Sequence, residues 1–253
     1  MPLCHFQTPE GLIVPAVTAD QMRQVDRVAV ETFGLGILQM MENAGRSLAG
    51  HVMEMLGGKR ERVVVLAGSG GNGGGGLCCV RHLLNRGLPV QVVLDREAEA
   101  LTGAAQAQWR ILQAAGLHPT PPDRAEAAIR QAALVVDALI GYGLRGAPRG
   151  RTAELITLSN RHAARLLALD IPSGLDATTG ETPGPAIRPE RTLTLALPKT
   201  GLRQVAGDLY LADIGIPPAL YRQLGIPAVF PFGTRYWVRL EVVRGQEKPP
   251  SGG

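Results

Sequence analysis

The sequence predicts an α/β fold in which a mainly parallel sheet lies between layers of helices, with two extra helices ahead of the first core strand. Three observations support this prediction. Short apolar runs rich in valine and leucine alternate with segments of helical periodicity. A glycine-rich stretch follows the first long apolar run. Two later apolar runs each end in an aspartate followed by a glycine-containing loop.

Length and composition narrow the class of protein. The chain has 253 residues, a formal charge of +4 and few aromatic residues, with four Phe, four Tyr and two Trp. Its arginines are scattered and form no basic run, which argues against a nucleic-acid surface. No apolar run approaches the length of a membrane span, and no signal peptide is recognisable. We therefore expect a cytoplasmic protein that binds neither nucleic acid nor membranes.

The first part of the chain is predicted to be irregular and then helical. Residues 1–16 contain three prolines and are expected to be extended without regular structure. Thr18 is a predicted N-cap for a first helix that Gly34-Leu35-Gly36 interrupts. A second helix is predicted from Ile37 to Leu56, and Gly57-Gly58 ends it.

The glycine-rich stretch is the most informative local pattern. An apolar strand at 63–67 leads into seven glycines and Asn72 at 68–76, and an amphipathic helix is predicted from Leu77 onward. Glycine lets the backbone approach a ligand closely, and the first N–H groups of a helix are unpaired. This pattern favours a phosphate-binding loop, with a simple tight turn as the alternative.

The remainder of the chain repeats the alternation of strands and helices. We predict one domain over 1–244 and a disordered tail at 245–253. The predicted strands cover 89–94, 134–139, 166–170, 193–197 and 209–214, and the predicted helices cover 98–115, 124–132 and 154–162.

Candidate site residues follow from the topology of a parallel sheet, in which ligands bind beyond the carboxyl ends of the strands. This rule gathers Asn72, Asp137, Asp170 and Ser173 at one edge. Each could be an ordinary cap or turn residue on its own. Together, their oxygen atoms suit K⁺ or Mg²⁺. Lys199 follows another strand and is either a solvated loop residue or an electrostatic partner in the same site.

Three segments resemble one known family. They are GSGGNGGGGL at 68–77, VDALIGYGL at 136–144 and LDIPSGLD at 169–176, in that order and spacing. They are similar to motifs of the NAD(P)H-hydrate epimerases, the YjeF N-terminal domain family. Further similarity lies in MENAGR at 41–46, ALPK at 196–199 and DIGIP at 213–217. The resemblance covers roughly residues 18 to 220.

The resemblance implies a Rossmann-like three-layer fold and a homodimer. It implies an isomerase that interconverts the R and S forms of NADHX and NADPHX, the hydrated forms of the reduced cofactors, and works beside a separate dehydratase in metabolite repair. By family pattern, K⁺ is held by Asn72, Asp137 and Ser173. We expect Asp170 to be the catalytic acid–base carboxylate, or alternatively a carboxylate that holds a ribose. The family's substrate-binding positions correspond to Gly71, Asn72, Gly73, Gly74, Gly75, Gly141, Tyr142, Gly143, Leu144, Arg145, Gly146, Ala147 and Asp170.

The glycine-rich stretch also departs from the family. Family members usually read Asn-Asn-Gly-Gly-Asp-Gly where this chain reads Gly71-Asn72-Gly-Gly-Gly75-Gly. The first asparagine and the aspartate are thus replaced by Gly71 and Gly75. The alternative to a working epimerase is therefore a catalytically weakened nucleotide-binding or protein-interaction module of the same fold.

Overall fold

A nine-stranded sheet forms the centre of the computed structural model, which describes residues 4–244. The strands are β1 (Cys4–Gln7), β2 (Ile13–Val14), β3 (Val63–Ala67), β4 (Val90–Leu94), β5 (Leu134–Ala138), β6 (Leu166–Leu169), β7 (Arg191–Leu195), β8 (Asp208–Ala212) and β9 (Trp237–Arg244). The helices are α1 (Ala19–Glu31), α2 (Ile37–Met55), α3 (Gly71–Leu84), α4 (Gly103–Ala114), α5 (Ala125–Gln131), α6 (Gly150–His162) and α7 (Pro218–Gln223).

The strand order is β2-β1-β9-β8-β7-β6-β5-β3-β4. The six strands from β4 to β8 are mutually parallel, and β9, β1 and β2 extend the sheet in antiparallel pairings. The order reverses around β3, because β4 lies on one side of it and β5 on the other. The predicted α/β fold is confirmed, and the crevice at this reversal is where such sheets bind ligands.

Both faces of the central strands are buried, which explains their almost continuous apolar sequence. In β3, Val63 and Val65 pack in the core formed with α1 to α4 and α7. Val64 and Leu66 point to the opposite face and pack with α5 and α6. The helices therefore lie in two layers, as predicted.

The glycine-rich stretch is mostly helical, which corrects the prediction of a loop from 68 to 76. Helix α3 begins at Gly71, and four of its glycines are buried. A Cβ added to Gly74 would lie 2.7 Å from the Cβ of Ala104 in α4, and one added to Gly76 would lie 2.5 Å from the Cβ of Ala138 in β5. Glycine is required there because α3 packs directly on the backbone layers around it. Periodicity predicted this helix only from Leu77 onward, since glycine has a poor helix propensity.

The N-terminal segment and the last strand also differ from the prediction. Residues within 1–16 form β1 and β2, because Cys4–Gln7 pairs with β9. No element was predicted after Ile214, although Val238 and Leu240 alternate with exposed charged residues in β9. The prolines of residues 1–16 predict irregular structure, but the pairing of β1 with the distant strand β9 overrides that local preference. The predicted tail at 245–253 lies outside the described residues.

Several predicted boundaries shift without changing the topology. The helix predicted at 98–115 divides into a 3₁₀ turn at Ala98–Ala100 and α4. Thr18 caps α1 as predicted. Its hydroxyl oxygen accepts a hydrogen bond from the Gln21 amide, and the Gln21 side-chain oxygen accepts one from the Thr18 amide, which forms a capping box. Between residues 4 and 244, no helix is long and apolar enough to span a bilayer.

Candidate functional site

A cavity of about 700 Å³ opens at the carboxyl edge of the parallel strands. The segments that follow β3, β4, β5 and β6 all contribute to its lining, and α1 and α2 cover it from one side. The position agrees with the general rule for open α/β sheets. Nine of the predicted site residues line it, namely Gly71, Asn72, Gly141, Tyr142, Gly143, Leu144, Arg145, Ala147 and Asp170.

Asp170 directly follows β6 and is fixed in the cavity wall by several hydrogen bonds. It is buried, and its φ of +64° lies in the left-handed region, which aspartate tolerates better than most residues. Its Oδ1 accepts a hydrogen bond from the Leu195 amide at 3.3 Å, and its Oδ2 accepts one from the Tyr142 amide at 3.3 Å. These contacts fix the carboxylate at the cavity wall.

Lys199 forms a buried ion pair with Asp170. The lysine side chain is 1% exposed, and Nζ donates to Asp170 Oδ1 and to the Leu195 carbonyl at 2.8 Å. An isolated parallel bridge between Val17 and Lys199 holds the lysine backbone in place. Of the two interpretations left open by the sequence, the electrostatic partner is the one that the structure supports.

Tyr142 connects the same site to α1. Its hydroxyl donates a short hydrogen bond to Asp26, and the Nζ of Lys199 lies 5.8 Å from the centre of its ring. Burial raises the pKa of Asp26, and burial together with Asp26 raises the pKa of the Tyr142 hydroxyl well above its usual value. The phenol therefore remains protonated. Asp26 is not among the predicted site residues, because it lies in α1, outside the motifs.

Asp137 and Ser173 form a polar pair beneath the cavity floor. Neither residue lines the cavity, and both are fully buried. The Ser173 hydroxyl donates to Asp137 Oδ1 at 2.6 Å, and the Ser173 amide donates to Oδ2 at 2.8 Å. Burial raises the pKa of Asp137 to about 6 despite these hydrogen bonds. Within the described part of the chain, no cationic side chain forms a salt bridge with this carboxylate.

The Asn72 side chain makes no hydrogen bond within the part of the chain that the structure describes. Its Oδ1 and Nδ2 are both buried, and neither makes a hydrogen bond to any residue between 4 and 244. Buried polar atoms are normally paired, so this amide is arranged for a ligand. A Cβ built on Gly141 would lie 3.3 Å from Asn72 Cγ and 3.1 Å from Asp170 Oδ2. Gly141 thus lies between the Asn72 amide and the Asp170 carboxylate.

These residues fit a hard cation. Asn72 offers an unused amide oxygen, Asp137 a buried carboxylate without a cationic partner, and Ser173 a hydroxyl oxygen 3.2 Å from the Ile140 carbonyl. Oxygen donors of this kind suit K⁺ or Mg²⁺ and do not suit zinc. The donor set is therefore consistent with a cation below the cavity floor.

The start of α3 supplies the anion-binding feature. Gly70 precedes the helix without a side-chain cap, and the Gly74 amide is bonded to the Gly70 carbonyl at 3.1 Å. The amides of Gly71 and Asn72 have no helical carbonyl one turn earlier, so they can bind phosphate oxygens. This helix end lies in the cavity lining at Gly70, Gly71 and Asn72.

Four predicted substrate-binding positions lie outside the cavity lining. Gly73, Gly74, Gly75 and Gly146 do not contribute to it. A Cβ on Gly75 would lie 2.9 Å from a methyl carbon of Leu169 and 3.6 Å from the sulfur of Met41. The buried glycines Gly73, Gly74 and Gly75 pack against the interior of the protein and do not form the cavity surface. The glycine at 75 therefore removes no side chain from this lining.

Asp95, Arg96 and Thr152 line the cavity and were not predicted. Asp95 directly follows β4, so the rule that identified Asp137 and Asp170 would also have found it. Arg96 donates to Asp95 Oδ1 at 2.9 Å and to Oδ2 at 3.2 Å, and the Thr152 hydroxyl donates to Oδ2 at 3.0 Å. The carboxylate is thus held rigidly at the β4 side of the cavity.

Comparisons with known proteins identify close relatives. Residues 37–201 match the family described as YjeF-related protein N-terminus. The NAD(P)H-hydrate epimerase of Dehalogenimonas lykanthroporepellens is 48% identical over 93% of this chain and 96% of its own length. The NAD(P)H-hydrate epimerase of Rhodopirellula baltica is 36% identical over 85% of this chain and 90% of its own length.

Other relatives are longer or known by structure. The bifunctional NAD(P)H-hydrate repair enzyme Nnr of Moorella thermoacetica is 39% identical over 81% of this chain, which corresponds to 41% of that protein. The crystal structure of yeast YNL200c superposes with a TM-score of 0.80 at 22% identity, covering 89% of this chain and all of that one. The superposition supports the fold, and the matches in sequence establish the relationship. The chain belongs to the YjeF-related N-terminal domain family.

Proposed function

We propose that this protein is a K⁺-dependent NAD(P)H-hydrate epimerase, which interconverts the R and S forms of NADHX and NADPHX. The observation that carries the proposal is the buried Asp170–Lys199 pair, which lies in the wall of a dinucleotide-sized cavity beside the orphaned Asn72 amide. Relatives that are named NAD(P)H-hydrate epimerases at up to 48% identity support the same activity.

The substrate would lie across the carboxyl ends of four strands. Its pyrophosphate would bind the amides at the start of α3, where the helix dipole favours negative charge. Its hydrated nicotinamide ring would lie beside Asp170, and the segment 141–145 would close over it. The cavity of about 700 Å³ is within the range of small-molecule sites and can enclose a large part of such a ligand.

Asp170 would accept and return the proton. Inversion of the hydroxyl-bearing carbon requires its bond either to the hydroxyl oxygen or to the ring nitrogen to break and re-form. Both routes require a group that takes a proton and gives it back. Lys199 would orient the carboxylate through its buried ion pair, and the Tyr142 amide would hold the second oxygen. The reacting group is thus fixed before substrate binds.

Asn72, Asp137 and Ser173 would hold K⁺. When bound, the ion would neutralise the buried Asp137 carboxylate and place positive charge near the substrate phosphates. Asn72 lines the cavity and would connect the two sites, because its amide nitrogen can face the substrate while its oxygen faces the ion. The ion ligands are positioned by the protein, because Ser173 is hydrogen-bonded to the backbone of Ile140 in the loop after β5.

The biological setting is a further part of the proposal. We expect a cytoplasmic homodimer that passes the S form to an NAD(P)H-hydrate dehydratase in cofactor repair. The bifunctional repair enzymes among the relatives support this link, since this chain matches about 40% of their length.

The decisive experiment is epimerisation of purified R-NADPHX in KCl, followed by separation of the R and S forms. We expect a rate well above the spontaneous background and a loss of at least about 100-fold in Asp170→Asn, the size of a removed acid–base group. Asp123→Asn is the matched control, because Asp123 is exposed and lies outside the cavity lining. It should behave as the unaltered protein.

Two outcomes would overturn parts of the proposal. A rate equal to background in excess protein and KCl would refute the epimerase and favour the catalytically weakened module. If Asn72→Ala shows the same dependence on K⁺ as the unaltered protein, the proposed ion site is wrong. Replacing KCl by tetramethylammonium chloride at equal ionic strength separates the specific ion effect from screening.

A further inference from the structure

We propose that Asp95 and Arg96 contact the 2′ position of the adenosine ribose and thereby set the preference between NADHX and NADPHX. The inference rests on the proposed function, because it assigns the far end of the same substrate. It concerns the β4 side of the cavity, which the proton-transfer and cation sites do not use.

The strand order places Asp95 at the correct end of the substrate. The Asp95 amide donates to the Ala67 carbonyl at 3.1 Å, so Asp95 lies beside the turn that precedes α3. Asp170 lies on the opposite side of that turn, after β6. The strands β4, β3, β5 and β6 are separated by three steps of about 4.8 Å, or roughly 14 Å in all. A dinucleotide with its pyrophosphate at α3 and its reacting ring at Asp170 therefore extends its other ribose toward Asp95.

The chemistry of the two side chains matches the two possible substituents. In dinucleotide-binding α/β folds, an acidic residue after the second strand, about 20 residues beyond the glycine turn, binds the ribose 2′-hydroxyl, and a nearby arginine accommodates a 2′-phosphate. Asp95 follows the corresponding strand and is buried, with a side chain that is 4% exposed. Thr152 donates to Oδ2, so the carboxylate keeps a fixed position and remaining acceptor capacity for a hydroxyl.

Arg96 can serve the charged substituent. Its side chain is 45% exposed, while its guanidinium is paired with Asp95 through two hydrogen bonds. It can therefore turn toward a phosphate without unpacking the core. The pair is neutral as a whole, so neither substituent meets a net repulsive charge. Loss of Arg96 would leave a bare carboxylate that repels a 2′-phosphate, and loss of the Asp95 charge would leave a free guanidinium that attracts it.

The experiment compares kcat/KM for R-NADPHX with kcat/KM for R-NADHX in the same preparation. We expect Arg96→Ala to lower the ratio of NADPHX to NADHX by about tenfold or more, the size of one lost charge-assisted contact. We expect Asp95→Asn to raise the ratio. Arg110→Ala is the matched control, because Arg110 is exposed on α4 and lies outside the cavity lining. It should leave the ratio unchanged.

A binding measurement separates this inference from the proposed activity. Calorimetric titrations with adenosine 2′,5′-bisphosphate and with AMP report the ribose subsite without any epimerisation. If the protein has no activity but Arg96→Ala selectively weakens binding of the bisphosphate, the ribose subsite is supported and the proposed epimerase activity is refuted. If the protein is active and neither variant changes the substrate ratio, the subsite is wrong. If it is inactive and binds neither fragment, both proposals are refuted.

Discussion

Two alanine substitutions in the first turn of α3 should have opposite effects on stability. A Cβ on Gly73 would lie 1.7 Å from the Gly68 carbonyl oxygen, whereas real Cβ atoms essentially never approach closer than 3.0 Å. The oxygen would have to retreat by 3.0 − 1.7 = 1.3 Å or more. It cannot do so freely, because the Gly68 amide donates to the Ala138 carbonyl of β5 at 3.1 Å. We expect Gly73→Ala to lower the unfolding free energy by about 3 kcal/mol or more.

Gly71→Ala is the matched substitution two residues earlier. Gly71 is exposed, and a Cβ built there meets nothing within 4 Å. Its replacement should stabilise the protein by about 0.5 kcal/mol, because the unfolded chain loses freedom. Urea unfolding followed by the fluorescence of Trp109 and Trp237 measures both variants. Equal urea midpoints for Gly71→Ala and Gly73→Ala would refute the reasoning, since the difference depends only on the contact with Gly68.

Three further predictions concern buried ionisable groups. Lys199→Met would leave Asp170 buried without its cation and should cost about 3–5 kcal/mol of unfolding free energy. Adding Asp170→Asn should restore most of it, and a failure to do so in urea unfolding would contradict the pairing. Burial is the main cause that lowers the pKa of His51 to about 3. The neutral imidazole therefore leaves the unfolding free energy undiminished above pH 6.5, the pKa of an unfolded histidine. As the pH falls from 6.5 toward 3, the unfolding free energy decreases by about 1.4 kcal/mol per pH unit. His51→Gln should therefore flatten the loss of stability between pH 6 and 4, and an unchanged slope would count against the assignment. Gly75→Asp should destabilise by about 2 kcal/mol or more, because its carboxylate would face Leu169, and Gly75→Ala isolates the steric part. An unaltered unfolding free energy in Gly75→Asp would show that the carboxylate finds a partner.

The sheet could be predicted because its chemistry is local. Each parallel strand is buried on both faces, so its sequence is a short apolar run whatever its neighbours are. The rule that ligands bind at the carboxyl ends predicted that Asn72, Asp137, Asp170 and Ser173 are neighbours. Asn72 and Asp170 line one cavity, whereas Asp137 and Ser173 form a buried pair beneath its floor. The same rule, applied to β4, also predicts that Asp95 lies at the cavity.

The remaining features depend on contacts between distant parts of the chain. Helix α3 could not be recognised at Gly71, because its glycines are explained by the closeness of α4 and β5 and not by helix propensity. The ion pair of Lys199 depends on the bridge to Val17, which lies more than 180 positions earlier in the chain. Strand β1 needs β9 as its partner, and no local pattern in Cys4–Gln7 reveals that pairing. These three features are thus determined by long-range packing, which local propensity does not report.

The glycine surface of α3 has a consequence for the entropy of ligand binding. The first six residues of this helix include five glycines, so they carry almost no rotamers that a ligand would have to order. Gly71 is exposed, but Gly73, Gly74 and Gly76 are confined by Gly68, α4 and β5 in the folded protein. The cost of immobilising the phosphate-binding amides is thus met during folding. A pyrophosphate that binds there would retain more of its interaction energy as affinity.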